Sequence, residues 1–506
     1  MSHTKFLVAF PTLLYVVCNA FHAAKLASWF QSEGGLDVLA FAAYLAAGLC
    51  LFIAVFALLA HRFTIKPVAI ALTVASGAAT YFIAKYDVVV DSSMVLNTMH
   101  TDPTEVGQLI SWSMLPYGLF LIAIPALVIL RCEITFAARG RYLLPSAAVF
   151  GCAIVVAIAA LYANFNRIHR AANVSNKYIV YTLVPVNVIS GAIGAVSKSL
   201  RAHFPAGSGA LDIPARVTKA RDLVVVLAIG ESSRRRNFGV YGYRRRDTTP
   251  RLAGIEGLHL LAGNATRGST IYALRQILEK NGVKLPALVA RAGVQTSCFV
   301  NYTLYENCDR VGEIEVARCG HGGKCFDEDV VPLLNRALAG YESGYRFVVM
   351  HLGGGSHGPL YANRHPPEFL TFRPTCDDAD VTNRCSTEEL YNSYDNTILY
   401  VDHVIAETIG SLERARVPYV FIYLSDHGES LTEGGRLFHG MPPGISLPKE
   451  QADVPLIVKS SMPIDVEARE VYRQPDVFDS VLELFAIEAP GFDRNGAFIA
   501  VREPSR

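Results

Sequence analysis

The sequence predicts a two-part molecule: a five-helix membrane-spanning first third, then an α/β domain built on a largely parallel sheet. Two observations carry that prediction. The chain has 506 residues, 51% of them hydrophobic, and the apolar excess lies almost wholly before residue 163. After about Asp222 it changes to short apolar strands alternating with helical stretches, the pattern of strands covered on both faces.

Five apolar stretches of about 17–24 residues, the length a bilayer core demands, run near Phe6–Ser28, Leu36–Leu59, Pro67–Ile83, Met114–Leu130 and Leu144–Tyr162. The first is long and is followed by others, so it is expected to stay as an anchor rather than be cleaved as a signal peptide. "HRFTIKP" (61–67) and "RCEITFAARGRY" (131–142) carry clustered Arg and Lys, whereas "SWFQSEGGLD" (28–37) carries neither. The excess of basic residues in cytoplasmic loops puts both basic loops and the N-terminus inside the cell, and everything after residue 162 outside. A net charge of +1 gives no case for nucleic acid as partner.

Cysteine usage fits that side. Cys18, Cys50, Cys132 and Cys152 fall in or beside the spans, where a lone Cys behaves as a small apolar residue. The other six form close pairs, Cys298/Cys308, Cys319/Cys325 and Cys376/Cys385, each bracketing a polar loop, as disulfides in an oxidising compartment do. Zinc thiolates compete with that reading, but no C-x-x-C spacing occurs. A bacterial periplasm is expected.

The chain thus divides into a transmembrane domain (1–162) with a longer outer loop at 84–113, interfacial helices and a Pro/Gly-rich linker (163–217), and an outer α/β domain (218–506). In that domain "DLVVVLAIGES", "YRFVVMHLGGGSHGP" and "VPYVFIYLSDHGES" are apolar strands ending in loops of Gly with Ser, Asp, His or Glu. Ligands of such sheets gather beyond the carboxyl ends of the strands, where these three place Glu231, His357, and Asp426 with His427.

Two carboxylates and an imidazole suit zinc at about 2.0–2.2 Å. "GNATRGSTIYAL" adds Ser269 and Thr270, whose hydroxyls can coordinate an ion and ionise. For an isolated Asp-His pair a helix cap with a packed ring is the plainer explanation; polar tips on two further strands reverse that preference. His357 and His439 are each as well explained by a solvated loop as by binding an anion or a second metal. "GGGSHG" (353–358) has the G-x-G-x-x-G form, but Pro359 follows at once and no acidic ribose ligand can be placed, so a dinucleotide site is rejected.

"GESSRRRNFGVYGYRRRDTTPRL", "GSHGPLYANRHPPEFLTFRPTC", "YDNTILYVDHVI" and "YLSDHGESL…HG" resemble the phosphoethanolamine transferases of Gram-negative bacteria, which include lipid A modifiers and mobile colistin-resistance enzymes. The resemblance covers nearly the whole chain. It implies an alkaline-phosphatase/sulfatase-like catalytic domain. It also implies zinc, one ion or two, held by Glu231, Thr270, Asp426 and His427, with Thr270 as nucleophile and Ser269 as the fallback. His357 and His439 match the family's further binding histidines. Asn97, Thr101 and Glu105 match its lipid-donor contacts, although Asp102-Pro103-Thr104-Glu105 also makes a good helix start. The chain departs from the family around Thr270: Arg267 stands where a Cys is usual, and the segment from Thr270 to Gly293 is short, so its pocket residues are unassigned.

The implied reaction moves phosphoethanolamine from phosphatidylethanolamine to lipid A, or another lipopolysaccharide or glycan acceptor, through a phosphothreonine, by a monomer among membrane lipids. The alternatives are a phosphoglycerol transferase on the same scaffold and a non-catalytic membrane sensor with a decayed hydrolase domain. A sulfatase would need a C/S-x-P-x-R context, which "STIYA" lacks.

Overall fold

The computed structural model describes residues 1–506 apart from 33, 101–109, 138–140, 176, 204–212, 302–307, 309–310, 312, 320–324, 443 and 503–506. It divides into two compact units, Met1–Phe204 and Pro205–Arg506.

The first unit is helical. α1 (His3–Ala20) opens at Ser2, whose hydroxyl accepts the Lys5 N–H. Then come α2 (Ala23–Ser28), α3 (Val38–Leu59), α4 (Ile65–Tyr86), α5 (Ser92–His100), α6 (Met114–Arg131), α7 (Leu143–Ala163), α8 (Phe165–Val174) and α9 (Val186–His203). Among the described residues, α3, α4, α6 and α7 are long and apolar enough to cross a membrane, and each matches a predicted span to within a few residues. The stretch predicted as a first span, Phe6–Ser28, is instead broken after α1. Its polar residues are the reason. Asn19 donates to Val184 O at 2.6 Å and accepts the Val184 N–H at 3.1 Å, while His22 Nε2 lies 3.1 Å from Thr182 O. These buried side chains bind a returning segment whose backbone would otherwise lack partners.

The second unit is built on an eight-stranded sheet. Its strands are β1 (Leu223–Gly230), β2 (His259–Asn264), β3 (Gln295–Val300), β4 (Glu313–Val316), β5 (Tyr345–Leu352), β6 (Tyr419–Ser425), β7 (Asp453–Ser460) and β8 (Tyr472–Arg473). They run in the order β8-β2-β7-β6-β1-β5-β3-β4. β7 runs antiparallel to both of its neighbours, and all other pairings are parallel. β1 and β6 are buried at every residue, which is why they read as unbroken apolar runs. Leu223, Val225, Leu227 and Ile229 of β1 share one core cluster with Leu274 and Ile277 of α10 (Thr270–Leu278).

The register fixes the site. Gly230 at the end of β1 is level with Ser425 at the end of β6 and with Leu352 at the end of β5. Because the three strands are parallel neighbours, the residues that follow them (Glu231, Asp426 and Gly353) leave the sheet side by side.

Candidate metal centre

Glu231 and Asp426 are the first residues beyond two paired strands, joined by the Asp426 N–H donating to Gly230 O at 3.0 Å. Thr270 arrives from the first turn of α10, after Ser269 in extended conformation. The Thr270 hydroxyl donates to Glu231 Oε2 at 3.0 Å and lies 3.4 Å from His427 Nε2. The same nitrogen lies 3.1 Å from Asp426 Oδ2 and 3.6 Å from Glu231 Oε1. Thr270, Glu231, Asp426 and His427 therefore meet around one point, with His427 and Asp426 fully buried.

The hydrogen-bond chemistry there is incomplete without a cation. His427 Nδ1 is 3.0 Å from the Gly428 carbonyl, which can only accept, so Nδ1 carries a hydrogen. Nε2 then offers a lone pair, and it faces carboxylate oxygens that are also acceptors. Asp426 Oδ1 accepts the N–H groups of His427 at 2.7 Å and Ser232 at 3.0 Å, whereas its buried Oδ2 has no hydrogen-bond partner among the described residues. A proton on Nε2 would satisfy one pair of these atoms; a divalent cation satisfies all four residues, so the donor set fits a metal.

A second group adjoins it. Glu231, His427 and His439 have ligand atoms within 4.8 Å of one another, and so do His357, Glu429 and His439. His439 belongs to both. Its Nδ1 lies 2.7 Å from Glu429 Oε2, and burial, with His427 nearby, pushes its pKa down. Glu429 Oε1 accepts from Gly358 N and Tyr361 Oη, each at 3.3 Å.

Sequence reasoning missed Glu429. Its signal was its place two residues after His427 in the same loop. It also missed the supports. Asp327 accepts the N–H groups of Gly354 (2.8 Å) and Gly355 (3.0 Å) and the Asn301 amide (2.7 Å), and Asn301 accepts the Gly353 N–H at 3.0 Å. Burial raises the Asp327 pKa. The Gly353–Gly355 loop so held lies against Glu231: a Cβ on Gly355 would come within 2.3 Å of Glu231 O, and the Ser356 N–H donates to that oxygen at 2.9 Å. The glycines serve close approach of two backbones. Gln474 donates to Ser425 O at 2.9 Å and Asp426 O at 2.5 Å, steadying the other loop. Asn97 falls in α5, but its side chain, like Thr101 and Glu105, lies outside the described residues.

Among known proteins, the profile of the phosphoethanolamine transferase EptA/EptB family matches residues 48–200, and that of the sulfatase family matches residues 224–487. The phosphoethanolamine transferase EptA of Salmonella typhimurium is 33% identical over 407 residues, covering 75% of this chain and 73% of that protein. This chain belongs to the EptA/EptB family. EptA of Helicobacter pylori is 30% identical over 445 residues, covering 82% of this chain and 81% of its own. The integral membrane lipooligosaccharide phosphoethanolamine transferase A of Neisseria meningitidis has the same fold, with a TM-score of 0.85, 24% identity and coverage of 99% of this chain and 100% of that one.

As a family member the chain is a phosphoethanolamine transferase. It is a multi-pass inner-membrane protein with its sulfatase-like catalytic unit in the periplasm. The three cysteine pairs are disulfides in that unit, Cys298–Cys308, Cys319–Cys325 and Cys376–Cys385, while Cys18, Cys50, Cys132 and Cys152 are free.

Proposed function

We propose that the chain moves phosphoethanolamine from phosphatidylethanolamine to lipid A or another envelope glycan, in two steps that pass through Thr270. The carrying observation is the facing of lone pairs between His427 Nε2 and Asp426 Oδ2 at 3.1 Å, which supports a divalent ion held with Glu231 and Thr270. Zinc suits one imidazole, two carboxylates and a hydroxyl, and when bound it acidifies that hydroxyl and offsets phosphoryl charge. The Thr270 hydroxyl proton points at Glu231 Oε2, so the lone pairs of Oγ1 are free to meet phosphorus.

In the first step the bond from Thr270 Oγ1 to phosphorus forms as the bond from phosphorus to the diacylglycerol oxygen breaks; the hydroxyl proton is released and diacylglycerol leaves protonated. In the second, an acceptor phosphate or sugar hydroxyl oxygen bonds to the same phosphorus as the bond from phosphorus to Thr270 Oγ1 breaks, and Thr270 regains a proton, from the sugar hydroxyl or, for a phosphate, the one released in the first step. His357 and His439 bind the transferred group, or with Glu429 a second ion. Asn97, Thr101 and Glu105 of the outer loop contact the donor lipid, and the interfacial helices after residue 162 lie along the membrane where donor and acceptor are both confined.

Mass spectrometry of lipopolysaccharide from cells with and without the gene tests the reaction. One added phosphoethanolamine is expected, and its position names the acceptor. A phosphoglycerol increment, or none, would overturn the proposal. Thr270→Ala should abolish the increment while zinc content stays near the parental level; residual transfer would remove Thr270 from the nucleophile's role.

A further inference from the structure

Ser232 takes no part in the chemistry above, yet its backbone beside the centre is unusual. It is fully buried and holds a φ of 56°, the left-handed region that a non-glycine residue rarely enters. No ring or loop closure demands a serine there, because glycine meets that conformation without strain. What serine adds is a hydroxyl, and what the turn adds is the direction of one N–H.

Both are used on carboxylates of the centre. The Ser232 hydroxyl donates to Glu231 Oε1 at 2.7 Å, while the other oxygen of that carboxylate, Oε2, receives the Thr270 hydroxyl at 3.0 Å. The Ser232 N–H donates to Asp426 Oδ1 at 3.0 Å, leaving Oδ2 facing His427 Nε2. The hydroxyl oxygen is also 3.4 Å from His439 Nδ1, but that nitrogen has the nearer Glu429 Oε2 at 2.7 Å. One residue thus donates to both carboxylates, sharing Asp426 Oδ1 with the His427 N–H at 2.7 Å and Glu231 with the Thr270 hydroxyl.

We infer that Ser232 is a positioning residue, held in a strained turn so that its hydroxyl and N–H orient Glu231 and Asp426 toward a shared divalent cation. The inference rests on reading Glu231, Thr270, Asp426 and His427 as a metal centre. Groups that orient metal ligands typically change affinity about 10–100-fold when removed, and strain at a functional site persists because the surroundings over-determine it.

The test uses the full chain in detergent, with zinc alone as the probe, its affinity read by competition with a chelating dye and its stability by melting without zinc. Ser232→Ala and Ser232→Gly both lose the hydroxyl, so zinc should bind about 10–100-fold more weakly to each. The glycine variant relieves the backbone strain and should melt above the alanine variant. Ser232→Thr keeps the hydroxyl on a β-branched residue that resists positive φ; it should recover most of the affinity while melting lowest. Affinity and stability would then rank the variants in different orders, which a purely structural role does not produce. Parental affinity in the glycine or the alanine variant overturns the inference while leaving the metal centre intact. A parent that binds no zinc overturns the metal-centre reading and this inference together.

Discussion

Asp426 and His427 stood out in the sequence only together with the polar tips of two other strands, since an isolated Asp-His pair is more simply a helix cap with a packed ring. Ser232 and Asp327 did not stand out. The "GESS" string gives no sign that its first serine turns left-handed, since serine is not a residue that favours positive φ. Asp327 opens the acidic run "DEDV", which resembles a solvated helix start, yet it is buried beneath two glycine N–H groups. Asp395 illustrates a different cost of burial. It accepts from Asn237 and from the Tyr243 hydroxyl, each at 2.7 Å, and burial raises its pKa to about 6 from an ordinary 3.8. Between those two values the folded chain keeps a proton that the unfolded chain has lost, so raising the pH there favours unfolding. The stability advantage of the parent over Asp395→Asn should therefore shrink as pH rises from about 4 to about 6, then stay level. Paired melting curves across that range check it, and an advantage that grew with pH would contradict the shift.

At the scale of elements, strands buried on both faces announce themselves by unbroken apolar runs, and β1, β5 and β6 were each legible for that reason. Their order in the sheet was not, because pairing depends on contacts between residues far apart in sequence. Nor was the reversal of β7, whose apolar centre "VPLIV" carries no mark of strand direction. The Gly353–Gly355 loop had the form of a nucleotide fingerprint and is instead a spacer between β5 and Glu231. Gly355 has a φ of 30°, and a Cβ there would meet the Glu231 backbone. Gly355→Ala should accordingly destabilise the second unit by about 1–3 kcal/mol, as overpacking does, and also weaken zinc binding by displacing Glu231. Melting together with dye competition tests both, and an alanine variant with parental values for each would show that the loop can move aside.

For the molecule as a whole, the membrane part was readable from composition alone, since a bilayer imposes length and apolarity on any helix crossing it. The break after α1 was beyond that reading, because it depends on Asn19 and His22 binding residues more than 150 positions away. An ion that binds only the folded chain stabilises it by mass action, about 2.7 kcal/mol at a free concentration of 100 Kd. Zinc added to chelator-treated protein should thus raise the melting temperature and restore transfer in parallel. A rise in activity with no shift in melting would place the metal somewhere other than this centre.

The groups proposed to hold the ion lie far apart along the chain: Glu231 precedes His427 by most of the sheet, from the end of β1 to the end of β6. A polypeptide exported from its N-terminal side releases Glu231 first and completes the set only when the loop after β6 has emerged and the sheet has closed. If the proposed centre holds an ion, its capture by this set is a late event of export, confined to the envelope. Scarcity of the ion in that compartment, whatever the cytosol holds in reserve, would set the fraction of molecules able to work.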